Sequence, residues 1–288
     1  EQNITHAPGM EHVREMVTGP IIPTPGAVME CTKLLYEYLG DLIVLDVGGA
    51  TTDLHSVTVE SDQVARLMIS PEPKAKRTVE GDLGVYVNRW KVVESIGEEK
   101  LREQCREQGF SMEHALETYR AIPKTEEEVK LVELLTREAV VKAAERHAGR
   151  LRYIYGPSGR STVAEGKDLT QVKYIVGTGG ALTRLPHREE IMREITRCNE
   201  SGMLLLPGEH AQILVDHDYI MASLGVLSKR YPQAAARLLE LSLGITFPER
   251  RSRYPSATRS SPGLRPSGSS GKRSYSGTLR SARPWAMI

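Results

Sequence analysis

The stretch that most constrains the fold is a strand, a glycine-rich turn and a second strand within residues 41–60. Residues 42–45 are an apolar run containing β-branched side chains, which predicts a buried strand. Residues 54–59 alternate between apolar and polar side chains and predict a returning strand. The sequence therefore predicts a β-hairpin. Its turn consists of Gly48, Gly49, Ala50, Thr51 and Thr52.

This turn has the composition of a phosphate-binding loop. Glycines accept positive φ angles and let the backbone approach an anion closely. Successive N–H groups can form an anion-binding concavity, and threonine hydroxyls add further donors. Asp46 and Asp53 flank the turn, and their carboxylates would repel a phosphate unless a divalent cation lay between them. We therefore expect Mg²⁺ at Asp46 and Asp53, held mostly through water. The alternative is an ordinary glycine hairpin with a solvated aspartate at each end.

Two later motifs extend this interpretation. Residues 174–176 predict a strand, and the glycine-rich segment after it predicts a turn that opens a helix. That segment is Gly177, Thr178, Gly179 and Gly180. Such a turn lets a nucleotide lie against the backbone, with the helix N-terminus facing a phosphate. Residues 218–230 predict a helix whose small residues, among them Gly225, allow a second helix to pack closely.

In this order, the three motifs resemble the second phosphate loop, the adenosine loop and the connector helix of the actin, Hsp70 and sugar-kinase ATPase superfamily. The resemblance implies an α/β fold of ribonuclease H-like lobes, each a mixed sheet flanked by helices, closing on ATP and Mg²⁺. It implies that Asp46 is catalytic, orienting the metal shell and the attacking water, and that Asp53 is a second metal partner. The implied nucleotide contacts are Gly48, Gly49, Ala50, Thr51, Thr52, Gly177, Thr178, Gly179 and Gly180.

Within that superfamily the sequence is similar to the MutL/GlmL family, which is unrelated to the mismatch-repair protein of similar name. The similarity lies in residues 48–56, 79–84, 177–186 and 204–210. The resemblance implies a chaperone-like ATPase that reactivates an adenosylcobalamin-dependent mutase, glutamate mutase or a related aminomutase, by promoting exchange of damaged cobalamin. The implied partners are the mutase subunits. Two other readings of the phosphate loop are an ATP-dependent hydantoinase or oxoprolinase and an actin-like filament-forming scaffold.

The resemblance also implies a division of the chain. Residues 1–40 would be the remainder of the first lobe with a connecting helix, and residues 41–246 the second lobe with a helical insertion at about 83–149. No Asp-x-Gly-x-Thr hairpin, the first phosphate loop of the superfamily, precedes Asp46. We therefore expect an incomplete first lobe, which puts nucleotide binding by the isolated chain in question. Residues 247–288 are basic and rich in Ser, Arg and Pro, and we expect a disordered tail or an artefactual addition.

Charge and cysteine content limit the classes of function. Residues 1–247 hold 29 Lys and Arg against 36 Asp and Glu, so this body offers no general attraction to nucleic acid. The three cysteines lack C-x-x-C spacing, which argues against iron–sulfur or zinc sites and favours a reduced, cytoplasmic protein. No apolar run is long enough for a membrane span. The sequence leaves open whether the chain forms a homo-oligomer.

Other polar residues are weaker candidates. A capping box at Thr125–Glu128 predicts the start of a helix that ends at about Gly149. Lys142 and Arg146 on this helix, and the turn at 80–82, could lie near a nucleotide, although simple surface charge is the alternative. Residues 65–69 predict a strand, and residues 83–96 predict a helix. The basic cluster at residues 74–77 predicts a solvated loop. For His55 we expect a structural role. A further set lacks zinc spacing and predicts loop and helix-cap roles: Glu209, His210, Asp216, His217 and Asp218.

Overall fold

The computed structural model describes residues 10–17, 19, 21–157, 159–199 and 201–248. Most of the predicted tail, residues 249–288, therefore lies outside the described residues. Its first residue does not belong to a tail, because Phe247 is buried and its ring stacks on Tyr38 with 4.8 Å between the ring centroids. The folded part thus extends at least to Phe247.

Seven strands are present in the described part of the chain. They are β1 (Leu42–Val47), β2 (Thr52–Val57), β3 (Ala75–Glu80), β4 (Arg150–Gly156), β5 (Gly159–Glu165), β6 (Tyr174–Thr178) and β7 (Gln212–Val215). Five of them form one sheet in the order β3-β2-β1-β6-β7, and β4 and β5 form a separate hairpin. In the sheet, β1, β2 and β3 are an antiparallel meander, whereas β1, β6 and β7 run parallel. The carboxyl ends of the three parallel strands therefore share one edge of the sheet.

Helices connect and cover these strands. They are α1 (Met10–Met16), α2 (Thr24–Leu39), α3 (Asp62–Ala65), α4 (Arg89–Ile96), α5 (Glu98–Glu107), α6 (Met112–Glu117), α7 (Glu126–His147), α8 (Gly179–Arg184), α9 (Arg188–Arg193), α10 (Met221–Ser228) and α11 (Pro232–Leu243). A single 3₁₀ turn, Glu194–Thr196, follows α9. No helix among the described residues combines the length and the apolar character that crossing a bilayer requires.

The sheet is buried on both faces, which explains the unbroken apolar run of β1. Ile43 and Leu45 belong to one core, which includes residues of α7 and α9. Leu42 and Val44 belong to a second core, which includes residues of α2, α10 and α11. Successive side chains of a strand point to opposite faces, so the part of β1 that helices cover on both sides, residues 42–45, is apolar throughout. The prediction of a mixed α/β fold with helices flanking a sheet is confirmed.

The long helix α7 begins where the sequence predicts a capping box. The Thr125 hydroxyl accepts a hydrogen bond from the Glu128 N–H, and the Glu128 carboxylate accepts one from the Thr125 N–H. Arg120 adds two hydrogen bonds to the same buried carboxylate. The capping box thus satisfies backbone N–H groups that the first turn of a helix leaves without partners.

Three segments differ from their predicted structure. The predicted strand at residues 65–69 is wrong: Ser61 caps α3, and a turn follows that helix. The predicted loop at residues 74–77 is also wrong, because Arg77 pairs with His55 within the β2–β3 ladder. The predicted helix at residues 83–96 begins only at Arg89, since the preceding residues bond to the glycine turn. In each case the hydrogen bonds fix a conformation that the local pattern does not show.

Gly225 allows α10 to lie against α2, as the small residues of this helix predict. A Cβ atom at Gly225 would overlap the carbonyl group of Ala27 and lie 3.2 Å from the backbone nitrogen of Cys31. The backbones of the two helices therefore touch at this point. Because α2 also packs on the sheet, this contact fixes α10 relative to β1 and β2.

We expect Gly225→Ala to lower the free energy of unfolding by about 1–3 kcal/mol, since the added methyl group must push two packed helices apart. Urea unfolding followed by circular dichroism measures this change. Gly156→Ala is the matched control, because a Cβ atom at Gly156 meets no atom within 4 Å. The control should change stability by no more than about 0.5 kcal/mol. Equal urea midpoints for the two variants would contradict the close helix contact.

Candidate functional site

The two glycine motifs meet at the edge where the parallel strands end. β1 and β6 are neighbours, and Asp46 lies opposite Thr178 in their register. A Cβ atom at Gly179 would lie 2.5 Å from Asp46 Oδ1 and 2.5 Å from the Val47 carbonyl oxygen. Gly179 also has a φ of +84°, which favours glycine. The start of α8 is therefore packed directly on the residues that precede the glycine turn.

A row of polar side chains crosses the sheet at this edge. Asp53 on β2 lies opposite Asp46 on β1, and Asp46 lies opposite Thr178 on β6. Asp216 follows the last residue of β7 and continues the row, because its N–H donates to the Gly177 carbonyl. The Thr178 hydroxyl donates a hydrogen bond of 2.8 Å to Asp216 Oδ2. We call these four residues, Asp53, Asp46, Thr178 and Asp216, the carboxylate row.

Burial and mutual repulsion disfavour the charged forms of two of these aspartates. Burial raises the pKa of Asp46 to about 6, and the negative charges of Asp53 and Asp216 add to the shift. Burial also raises the pKa of Asp53, and Glu80 adds to this shift, whereas the Thr51 hydrogen bond and the charge of Arg77 oppose it. Like charges on directly opposed strand residues destabilise a sheet. The row is therefore costly unless a cation or a proton neutralises it.

The Asp46–Asp53 pair fits a divalent cation held through water. Asp53 accepts a hydrogen bond from the Thr51 hydroxyl on Oδ2, while its buried Oδ1 atom has no partner among the described residues. The described residues contain no group of three or more His, Cys, Asp or Glu side chains placed to ligate a metal directly. Mg²⁺ keeps several waters and commonly uses only one or two carboxylates. The pair thus offers the few oxygens that this ion takes from a protein.

The glycine turn is held from one side by residues that follow β3. The carbonyls of Gly48 and Gly49 accept hydrogen bonds from the N–H groups of residues 85–87, at 2.7–3.2 Å. The Asn88 side-chain amide donates to the Ala50 carbonyl at 2.7 Å. A Cβ atom at Gly84 would overlap Ala50. Within the described part of the chain, the N–H groups of Gly49, Ala50 and Thr51 donate to no protein acceptor. This leaves three neighbouring donors available to an anion.

Some residues predicted to contact a nucleotide have hydrogen-bond or packing partners within the chain. The Gly48 N–H donates to the Thr51 carbonyl and closes the turn. Thr52 is the first residue of β2, not a turn residue, and its buried hydroxyl donates to the Leu83 carbonyl. Gly177 packs tightly, since a Cβ atom there would lie 2.6 Å from the Met192 sulfur atom. Gly180, in contrast, is exposed with no atom near its missing Cβ.

Asp216 joins the carboxylate row to the last two helices. Its carboxylate is fully buried and accepts hydrogen bonds from the Met221 and Ile220 N–H groups, at 3.0 and 3.2 Å. The Ser242 hydroxyl donates to the same carboxylate at 2.6 Å. Asp216 therefore has the predicted helix-cap role, at the start of α10. Its bond to α11 was not visible in the sequence, because Ser242 is remote in the chain.

Tyr219 and the turn around Asn88 are site residues that the sequence did not indicate. Tyr219 has a φ of +56°, which is unusual for a residue other than glycine. Burial raises the pKa of Tyr219, and the negative charges of Asp46 and Asp216 add to this shift. The Tyr219 phenol is therefore close enough to the carboxylate row for the negative charges of Asp46 and Asp216 to act on it. For the turn around Asn88, the only signal in the sequence was that Gly84 and Asn88 lie inside a predicted helix.

Two of the weaker candidates, Arg146 and Lys142, have ordinary structural partners. Arg146 forms ion pairs with Glu80 at 2.7 Å and with Asp82 at 2.8 Å, so it fastens α7 to the turn after β3. Lys142 pairs with Glu145 at 2.8 Å. His55 is buried on β2, and burial lowers its pKa to about 3, with the charge of Arg77 adding to the effect. The ring therefore stays neutral at physiological pH.

Two comparisons place the chain among known proteins. A protein-family model described as MutL protein matches residues 1–243. Protein MutL of Clostridium tetanomorphum is 34% identical over 251 residues, an alignment that covers 83% of this chain and 54% of that protein. The chain thus spans about half the length of the curated relative that it matches. With a family match over most of its length, the chain belongs to the MutL protein family, as its motifs predict.

Proposed function

We propose that this chain is part of an ATP-binding and ATP-hydrolysing accessory protein that reactivates an adenosylcobalamin-dependent mutase, glutamate mutase or a related aminomutase. The observation that carries the nucleotide part is the contact between Gly179 and Asp46, which brings the two glycine motifs together. Membership of the MutL family supports the mutase part. The activity and the partner belong to the whole protein, since the chain spans only part of its relative.

The actin-like lobe is part of the same proposal. The five-stranded mixed sheet with helices on both faces has the layers that such a lobe requires. The site lies where the carboxyl ends of β1, β6 and β7 meet, which is where open α/β sheets usually bind ligands. Nucleotide hydrolysis would change the closure of this lobe on its partner lobe. The mutase would respond through a difference in its affinity for the two states.

Each part of the carboxylate row and the turn has a role in this proposal. The free N–H groups of Gly49, Ala50 and Thr51 would bind the terminal phosphate. Asp46 and Asp53 would hold Mg²⁺ through water, and the bound ion would neutralise phosphate charge during transfer. Asp46 would also orient the attacking water. Gly179 and the exposed Gly180 would lie beside the adenosine.

We expect Gly179→Ala to weaken binding of Mg²⁺ and ATP to the full-length protein by more than about tenfold, or about 1.4 kcal/mol. The methyl group would displace Asp46 or open the contact between α8 and β1. Titration calorimetry measures the affinity, and circular dichroism checks that the variant is folded. Gly180→Ala is the control, because its Cβ atom has open space. Identical losses of affinity in the two variants would contradict the proposed site geometry.

We expect Asp46→Asn to abolish ATP hydrolysis while raising stability in EDTA by about 3 kcal/mol at about pH 8. Because its pKa is raised, the folded state still holds the Asp46 proton between pH 3.8 and about 6, where the unfolded state has already released it. The charged carboxylate therefore costs stability above about pH 6, and asparagine removes that cost. Urea unfolding should show the gain shrinking as the pH falls below 6. A gain independent of pH would contradict the shifted pKa.

The mutase part is tested with full-length protein, an inactivated adenosylcobalamin-dependent mutase, ATP, Mg²⁺ and fresh cofactor. We expect mutase activity to return only when ATP is present. Asp46→Ala should abolish this recovery, whereas Lys142→Ala should not, because Lys142 only pairs with Glu145 on the surface of α7. Recovery without nucleotide, or with Asp46→Ala, would contradict an ATP-driven reactivating factor.

A further inference from the structure

Within the described part of the chain, hydrogen bonds anchor the hairpin of β4 and β5, which we call the arm, only at its base. The Leu151 N–H donates to the Met203 carbonyl, and the Ala164 N–H donates to the Leu67 carbonyl. From Tyr153 to the turn, every described residue of β4 is exposed, as are the first three residues of β5, Gly159, Arg160 and Ser161. A two-stranded hairpin by itself is marginally stable in water. An arm of this kind therefore gains stability when a second surface covers it.

One face of the arm carries aromatic rings beside a positive charge. Tyr153 and Tyr155 lie two residues apart and so share a face, with 48% and 79% of their surface exposed. Arg160, opposite Tyr155 in the ladder, places its guanidinium 4.5 Å from the centre of the Tyr153 ring. The arm carries three arginines, Arg150, Arg152 and Arg160, and one glutamate, Glu165, so its net charge is +2. Tyrosine and arginine are enriched at the centres of protein interfaces.

A groove elsewhere on the same chain has the complementary character. It has a volume of about 340 Å³ between α4, α5 and α6. Its apolar lining consists of Trp90, Val93, Met112 and Leu116, and its charged lining of Glu98, Arg102, Glu113 and Glu117, for a net charge of −2. Trp90 is 54% exposed, with the Arg89 guanidinium 5.4 Å from the centre of its ring, whereas Val93, Met112 and Leu116 are buried. The groove thus offers the exposed part of the Trp90 indole and negative charge to an aromatic, basic segment.

We propose that the arm of one copy of this protein docks in the groove of a second copy. The two surfaces carry equal and opposite net charge, so each attracts the other and repels its own kind. Arm-to-arm and groove-to-groove pairing are both disfavoured by this repulsion. Since the arm and the groove are different patches on one chain, the contact is head-to-tail and generates rings or open chains of subunits. The glutamates of the groove make a nucleic acid or an anionic membrane an unsuitable occupant.

Mixing two variants tests this head-to-tail contact. The arm variant is Tyr153→Ser with Tyr155→Ser, and the groove variant is Trp90→Ser with Glu117→Arg. Each alone should stay monomeric by sedimentation velocity at concentrations where the wild-type chain associates. The equimolar mixture should form one-to-one pairs and nothing larger, because only one intact arm and one intact groove remain. High salt should weaken the wild-type association, since the contact joins opposite charges.

The control is Tyr231→Ser, another exposed tyrosine beside an arginine, which should associate as the wild type does. All variants keep residues 249–288, so any difference arises from the arm or the groove. Circular dichroism confirms that each variant is folded. The proposal is overturned if the wild-type chain is monomeric throughout, if the arm variant associates normally, or if the mixture forms no pairs. Association that requires added nucleic acid would also overturn it.

Discussion

The parallel pairing of β1 with β6 is the interaction on which the rest of the site depends. Parallel strands carry their carboxyl ends to a common edge, and this pairing sets Asp46 beside Thr178 although the two are remote in sequence. The contact leaves no room for a side chain at the next residue, Gly179. Helices on both faces keep the two strands together by burying their apolar side chains. The site is thus a consequence of strand order more than of any loop.

The buried aspartates at this edge of the sheet lower the stability of the fold. Two carboxylates lie on adjacent strands, and burial raises the pKa of both. A hydrophobic pair at these positions would extend the core that contains Leu42 and Val44, so the aspartates cost stability that the two cores must supply. Strongly perturbed carboxylates in such a place are typical of functional sites. At the same edge, four hydrogen bonds satisfy the buried carboxylate of Asp216.

The sequence predicts the parts of this structure that depend on local pattern. The β1 run, the glycine turn, the Thr125 capping box and the strand before Gly177 all follow from periodicity, capping chemistry or glycine placement. The parts that it misses depend on distant partners. Arg77 becomes a strand residue because β2 offers it a ladder, and residues 84–88 leave the helical pattern because the carbonyls of the glycine turn accept their N–H groups. The residues next to either segment in the sequence do not reveal these distant partners.

Asn88 links two regions that the chain otherwise keeps apart. Its side-chain amide donates to the carbonyls of Ala50 and Gly81, and α4 begins at the next residue with Trp90 in its first turn. Asn88 therefore couples the position of the first turn of α4 to that of the glycine turn. A ligand that shifts α4 would also shift the glycine turn, and a phosphate bound at the glycine turn would shift α4. Thermodynamic reciprocity makes the two effects equal in free energy.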